Sequence, residues 1–182
     1  MILTDREIKI AIDKDLLKIN PAPKIEAYTS TALDLTLHHT ARIFRKGVQR
    51  GINIDPGSKD YNYESIKDLL TEEIDINPIY SLEYRVLLLA WTQEIIELPL
   101  QSKLAARVEG KSSLARIGIG VHITAPTIHA GFRGPLQLEI LNHGPSPIIL
   151  RPGMRICQVI FETTLGTPDK GYTGQYLDQV PR

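Results

Sequence analysis

The sequence predicts an all-β fold, a sandwich or barrel, preceded by one short helix. Apolar and polar residues alternate over several short segments, and Gly, Pro and Asn turn signals separate these segments at intervals of about 8–12 residues. Long helical patterns do not alternate with the strands, which disfavours an α/β fold. The chain of 182 residues, 42% hydrophobic and 23% charged, has the size and composition of a single soluble domain.

The first element is a helix over about residues 4–18. Thr4 and Glu7 form a T-x-x-E capping box, and apolar residues recur at helical spacing at Ile8, Ala11, Ile12 and Leu16. The segment NPAP (20–23) ends the helix. In LDLTLHH (33–39) the period changes to two, with the leucines facing one way and Asp34, Thr36 and His38 the other. A strand follows from this alternation.

Residues 45–80 are the least patterned part and are interpreted as an elaborated loop with a short helix in SIKDLLTEE (65–73). Further strands are predicted in RVLLLAWTQEIIELP (85–99), RIGIGVHITA (116–125), PLQLEIL (135–141), PIILRPG (147–153) and RICQVIFET (155–163). We therefore expect one domain over residues 1–182, with a variable loop at about 45–80 and a C-terminal arm at about 166–182. The variable loop receives no functional assignment.

Composition excludes several function classes. The formal net charge is zero, so we expect no binding to nucleic acid or to an anionic membrane. The longest apolar run, VLLLAW (86–91), is too short to span a bilayer. The start, MILTDREIKI, lacks a basic region followed by an apolar one, so we expect no signal peptide. A single cysteine, Cys157, is typical of a cytoplasmic protein. With one cysteine and no H-E-x-x-H or C-x-x-C motif, the sequence predicts no zinc centre.

One carboxylate stands in a strand that otherwise looks like core. In PLQLEIL, Leu136, Leu138 and Ile140 share one face, and Gln137 and Glu139 share the other. A carboxylate among apolar neighbours has its pKa raised by desolvation and lowered by a nearby cation, and a general base that works near neutral pH needs such a setting. The alternative is a strand with one face in solvent, on which Glu139 is simply exposed.

A second group of polar residues lies in EGKSSLAR (109–116). Backbone N–H groups, the hydroxyls of Ser112 and Ser113 and the charges of Lys111 and Arg116 could bind an oligophosphate. The alternative is a polar turn that opens a short helix, with Ser112 as its N-cap and Arg116 in solvent. The turn RPGMRICQ (151–158) is likewise either a plain Pro-Gly turn or a further anion contact through Arg155 and Gln158.

Taken together, these segments resemble the dCTP deaminase family, part of the dUTPase-like superfamily. The matching segments, in order, are MILTDREI, LLKINPAP, ALDLTL, EGKSSLARIGI, HAGFRGPLQLEILNHG and RPGMRICQVIFE. The resemblance covers about residues 1–40 and 85–165 and is weaker at 45–80 and after 165. It implies a distorted β jelly roll or barrel of the dUTPase-like type, assembled as a homotrimer with active sites at the subunit interfaces.

The resemblance also implies a zinc-independent hydrolytic deamination, dCTP plus water giving dUTP and ammonia, in the cytoplasmic supply of pyrimidine deoxynucleotides. Glu139 would be the general acid and base, and Arg116 would hold it ionised. Ser112 and the backbone carbonyl of Ala125 would position the water. The triphosphate, arriving with Mg²⁺ held mainly by its own oxygens, would be bound by Lys111, Ser112 and Ser113.

Four departures from the family pattern leave other functions open. Lys111 stands where the family usually has Arg, and Ala32 where it has Ser. His129 replaces the aspartate of D-x-G-[FWY]-x-G and cannot act as a carboxylate base, so we expect weak or no diphosphatase activity, although it could hydrogen-bond a 3′-hydroxyl. The C-terminal arm is short, and its candidate nucleotide contacts are Tyr172, Gln175 and Gln179.

Two alternative functions follow from particular residues. The turn GMRICQ resembles a dUTPase turn in which Gln158 would reach the phosphates of a neighbouring chain's nucleotide. The first alternative is therefore a dUTPase, or a bifunctional enzyme that converts dCTP to dUMP. The second is a trimeric nucleotide-binding sensor whose chemistry has been lost, motivated by Ala32, Lys111 and His129. The retention of Glu139 and Arg116 argues against it, because a decayed site has no need of them.

Overall fold

The computed structural model describes residues 1–47, 53–174 and 176–181. Within these residues the helices are α1 (Asp5–Asp13), α2 (Tyr63–Leu70) and α3 (Ser112–Ala115). The strands are β1 (Lys18–Asn20), β2 (Leu33–Phe44), β3 (Thr71–Asp75), β4 (Tyr80–Leu82), β5 (Leu87–Glu97), β6 (Leu104–Gly110), β7 (Ile119–Gly120), β8 (Thr127–Ile128), β9 (Arg133–Asn142), β10 (Ile148–Leu150) and β11 (Arg155–Thr163). The predicted all-β class is confirmed.

Nine of the strands form one antiparallel sheet in the order β7-β9-β5-β2-β11-β6-β8, with β1 added to β5 and β3 added to β2. β4 and β10 form a separate two-stranded sheet. The first part of β2 pairs with β11 and its last part with β3 and β5, with a register shift between Leu37 and Ala41. Bulges of this kind increase the local twist and let one long strand serve two parts of a curled sheet.

The alternation of residues in β2 correctly predicts which leucine side chains enter the core. Leu33, Leu35 and Leu37 are fully buried and belong to the main apolar cluster. Asp34, which the pattern puts on the opposite face, is also buried, with 3% of its surface exposed. The reason is tertiary, because two cations from other elements cover this carboxylate.

The N-terminal helix is shorter than predicted. The capping box is present, with the Thr4 N–H donating to the Glu7 carboxylate at 2.9 Å. The helix ends at Asp13, because Asp15 adopts a left-handed conformation (φ 56°) and Leu16 turns back to donate to the Ala11 carbonyl. The apolar spacing therefore continues past the end of the helix into a turn.

The strand predicted over 116–125 is largely wrong. Only Ile119 and Gly120 pair with β9, while Ile117 and Ile123 are 53% and 58% exposed. Gly118 has φ +98°, and a Cβ there would lie 2.3 Å from the backbone N of Gly144. The chain turns away from the sheet at this close approach, so the clean alternation does not become a continuous ladder.

The predicted loop at 45–80 holds more structure than expected. The short helix is confirmed as α2, and Asn62 caps it by accepting from the Glu64 N–H at 2.9 Å. The strands β3 and β4 follow within the same segment. β3 alternates only weakly and becomes a strand because it completes the edge of β2, from Phe44–Thr71 to Thr40–Asp75. Among the described residues, no helix has the length and apolar character needed to cross a membrane.

Candidate active site

Glu139 lies near the middle of β9, with its carboxylate on the face away from the core. Its strand neighbours Leu138 and Ile140 are fully buried, whereas Glu139 is half-buried. Desolvation raises the pKa of this carboxyl above its ordinary value of 4.5, while the Ile123 N–H, 3.4 Å away, and the nearby His122 lower it. Burial is the largest of these effects. The structure therefore favours the buried interpretation of Glu139 over simple exposure.

The Glu139 carboxylate opens into a cleft of about 340 Å³, which we call the acid cleft. Four other candidate site residues line it, namely Ala125, His129, Tyr172 and Gln179. The remaining walls are mostly apolar and come from Val108, Pro126, Ile128, Phe132 and Leu136. An apolar cleft of this size with few polar groups is typical of a small-molecule site.

An aromatic wall closes one side of the acid cleft. The rings of His129 and Tyr172 stack with centroids 5.9 Å apart and planes 10° from parallel, and Phe132 meets Tyr172 edge-on at 5.8 Å. Gly131 (φ +86°) permits this packing, because a Cβ there would lie 2.9 Å from the Tyr172 N. His129 thus contributes a flat ring at the position where the family has a carboxylate.

The C-terminal arm lies over the acid cleft of its own chain. The Tyr172 N–H donates to the Ala130 carbonyl at 2.9 Å, and the Gln179 amide donates to the Pro135 carbonyl at 2.7 Å. Arg133 forms an ion pair with Asp178, which lowers the pKa of that carboxyl. Gln175 lies outside the described residues. Tyr172 and Gln179 therefore line the cleft, and their contact with a nucleotide stays a prediction.

A second, more open cleft of about 420 Å³ lies beside α3, and we call it the anion cleft. Four predicted phosphate-binding residues line it, namely Lys111, Ser112, Ser113 and Gln158. The N-cap of α3 is Lys111, one residue before the predicted Ser112. Both serines are exposed, and the Gln158 amide donates to the Gly110 carbonyl at 3.1 Å. The segment EGKSSLAR (109–116) therefore contains a short helix and also presents several hydrogen-bond donors.

A buried ion pair holds Lys111, the cation that lines the anion cleft. The Asp34 carboxylate is 2% exposed and accepts a hydrogen bond from the Lys111 ammonium, with Arg155 3.5 Å away. A buried carboxylate is tolerated only when it is paired. The Asp34 carboxylate therefore neutralises part of the positive charge of Lys111 and Arg155. An ammonium has three donors, and Lys111 retains the capacity to bind a second anion.

The two clefts are not joined within one chain. Arg116, which the resemblance places beside Glu139, is exposed at the end of α3, and its guanidinium makes no ion pair or hydrogen bond with any described residue. The structure thus brings Glu139, Ala125, His129 and Tyr172 into one group, and Lys111, Ser112, Ser113 and Gln158 into another.

Sequence reasoning missed several residues that line the acid cleft, among them Gln137, Thr127 and Tyr176. The signal for Gln137 was available, because the alternation of β9 puts it on the same face as Glu139. Nothing local marks Thr127 or Tyr176. Within the described ranges no group of three or more His, Cys, Asp or Glu side chains is arranged to hold a metal ion.

The chain is similar in sequence to known proteins of one family. Residues 2–164 match the dCTP deaminase-like family. A dCTP deaminase from Rhodospirillum rubrum is 34% identical over 99% of this chain and 93% of its own length. A dUMP-forming dCTP deaminase from Methanobrevibacter smithii is 35% identical over 89% of this chain and 80% of its own.

Solved structures also resemble the fold of this chain. The 2′-deoxycytidine 5′-triphosphate deaminase of Agrobacterium tumefaciens superposes with a TM-score of 0.68 and 27% identity. The match covers 89% of this chain and 47% of that longer one. A dUTPase from Staphylococcus aureus phage phi11 matches with a TM-score of 0.51 at 10% identity, which supports the fold alone. The curled sheet is therefore of the dUTPase-like type, as predicted.

Proposed function

The chain belongs to the dCTP deaminase-like family, and we propose that it hydrolyses dCTP to dUTP and ammonia, a hydrolysis of a cyclic amidine C–N bond. Curated relatives named dCTP deaminase support this activity. The observation that carries the proposal is the half-buried Glu139 in the acid cleft, where burial raises the pKa of its carboxyl. A carboxylate that titrates closer to neutral pH is a better general base than an exposed one.

In the proposed reaction, ionised Glu139 takes a proton from a water molecule as its oxygen attacks C4 of cytosine. The same carboxyl gives that proton to N3, then takes the second proton from the new C4 hydroxyl and passes it to the amino group. The C4–N bond breaks, ammonia departs and the C4 carbonyl of uracil remains. The Ala125 carbonyl, which lines the acid cleft, would accept a hydrogen bond from the attacking water. Ser112 would hold the water from the opposite side, and Arg116 would keep Glu139 ionised between proton transfers.

We further propose that the site is completed between chains of a homotrimer. Arg116 and Ser112 belong to the anion cleft side, and no contact joins them to Glu139 within the described chain. The segment between the clefts exposes Ile117 and Ile123, and large apolar side chains of this kind are stabilised when an assembly buries them. A partner chain would then supply its Arg116 and Ser112 to the acid cleft.

The triphosphate would be bound by the anion cleft. Lys111, Ser112, Ser113 and Gln158 provide an ammonium, two hydroxyls and an amide, and charged hydrogen bonds of this kind suit phosphate oxygens. We propose that Mg²⁺ enters as part of the substrate, held by the triphosphate itself. A cytoplasmic location remains a prediction from the single cysteine.

A bifunctional enzyme that continues to dUMP is the second candidate, and the dUMP-forming relative favours it. His129 argues against it, since a ring stacked on Tyr172 cannot supply the carboxylate expected at that position. The third candidate, a nucleotide sensor without catalysis, would have no use for a desolvated acid at Glu139.

One assay separates the three candidates. The protein is incubated with dCTP and Mg²⁺, and separately with dUTP, while ammonia and pyrophosphate are measured. We expect ammonia from dCTP and no pyrophosphate from either nucleotide. Ammonia from dCTP together with pyrophosphate from dUTP would establish the bifunctional enzyme, and pyrophosphate without ammonia would establish a dUTPase. Binding of nucleotide without either product would establish the sensor.

A further inference from the structure

Gln137 occupies a distinctive position at the boundary of two cavities. It lines the acid cleft together with Glu139, and it also lines a neighbouring cavity of about 300 Å³. That cavity is lined further by Arg42, Tyr63 and Trp91, and it shares Tyr176 and Gln179 with the acid cleft. The Gln137 side chain therefore has open space on both sides.

The register of the sheet fixes where the Gln137 amide stands. Gln137 pairs with buried Trp91 on β5, and Glu139 pairs with Leu89 on the same strand. Two positions along one strand face separate the two side chains by roughly 7 Å. One six-membered ring lying in the acid cleft could therefore contact both the Glu139 carboxylate and the Gln137 amide.

The side-chain amide of Gln137 is also free to bind a ligand. It is half-buried, and it makes no hydrogen bond with any residue in the described ranges. A half-buried amide that the fold leaves unpaired is costly unless water or a ligand satisfies it. By contrast, the amides of Gln158 and Gln179 are already bonded to backbone carbonyls, at 3.1 and 2.7 Å.

We infer that Gln137 is a specificity-determining residue that hydrogen-bonds the pyrimidine edge of the substrate. This inference rests on the proposed function. An amide carries a donor and an acceptor and can exchange them by rotating about its last torsion. It can thus accept from the amino group of cytosine and, after deamination, donate to the new carbonyl of uracil. The cavity behind Gln137 provides the space for that rotation.

The test measures binding with the chemistry switched off. In a Glu139→Gln background, Gln137→Met removes the hydrogen bond while keeping an unbranched side chain of similar length. Gln101→Met, at an exposed position away from both clefts, is the matched control. Calorimetric titrations use three probes, namely dCTP, dUTP and inorganic triphosphate, which lacks a base.

We expect Gln137→Met to weaken dCTP and dUTP binding roughly three- to tenfold, as for the loss of one hydrogen bond, and to leave triphosphate binding unchanged. With Glu139 intact, KM for dCTP should rise by a similar factor while kcat stays within about twofold. Equal weakening of all three probes, or no weakening at all, would overturn the inference. An equal, base-dependent weakening by the Gln101→Met control would also overturn it, because the loss would then not depend on position 137.

The two proposals fail in different ways. If the wild-type protein releases no ammonia from dCTP, the proposed activity is wrong. A base-dependent loss of binding in Gln137→Met would still assign the pyrimidine contact to Gln137.

Discussion

The acid cleft and the anion cleft differ in how far their polar groups are exposed to solvent. Glu139 lies on the long strand β9 near one edge of the sheet, where burial desolvates its carboxyl and raises its pKa. Lys111 and the serines lie on a one-turn helix at the surface, where donors can remain exposed at little cost. A permanent cation beside Glu139 would lower the pKa that burial has raised. If a partner chain supplies Arg116, as proposed, the two charges meet only in the assembly.

The largest effect is expected at the acid cleft. Glu139→Gln removes the proton acceptor while preserving shape, so ammonia release from dCTP should fall by about 10²–10⁴-fold. Nucleotide binding should persist, because the anion cleft is untouched. The exposed carboxylate of Glu83 provides the control variant, Glu83→Gln, which should retain full activity. Substantial ammonia release by Glu139→Gln would mean that another group is the base.

The next prediction concerns the separation of the clefts. Arg116→Ala and Glu139→Gln should each keep only a small residual activity alone, yet mixed trimers should recover activity, because one chain then supplies Glu139 and its neighbour Arg116. Random mixing places both native residues in about one site in four. The measurement is ammonia release after co-refolding the two variants. Refolded mixtures of differently tagged Arg116→Ala chains are the control, and mixed trimers without recovery would place both residues in the same chain's site.

The smallest effect is a shift in pH dependence. Burial raises the Glu139 pKa above 4.5, and a partner's Arg116 should lower it again. Arg116→Ala should therefore move the acid limb of kcat/KM to higher pH than in the wild type. An unmoved acid limb would show that Arg116 does not act on this carboxyl.

The raised pKa of Glu139 also predicts how the stability of the folded chain changes with pH. Because the folded-state pKa of Glu139 is raised, the folded chain holds this proton more tightly than the unfolded chain. Wild-type stability relative to Glu139→Gln should therefore fall as pH rises from 4.5 through the folded pKa. Urea unfolding of both proteins across this range measures the difference.

Local pattern was sufficient for much of the fold and for placing Glu139 on the face of β9 away from the core. β11 matches its predicted bounds, β9 extends its predicted segment by two residues at one end and one at the other, and the leucines of β2 are buried as predicted. Strand alternation succeeds there because each strand has a covered face and an open one. The same reasoning put Gln137 beside Glu139 on one face, although its place at the edge of a second cavity depends on β5 and α2.

What the sequence alone determined was the residue chemistry, namely a carboxylate on a core strand, a cluster of donors and cations, and a histidine in place of an aspartate. The tertiary structure decided which of these residues meet. Asp34 is buried because Lys111 and Arg155 converge on it from distant elements, and the 116–125 segment leaves the sheet because the backbones at Gly118 and Gly144 touch. Such contacts join residues far apart in the chain, so no local period encodes them.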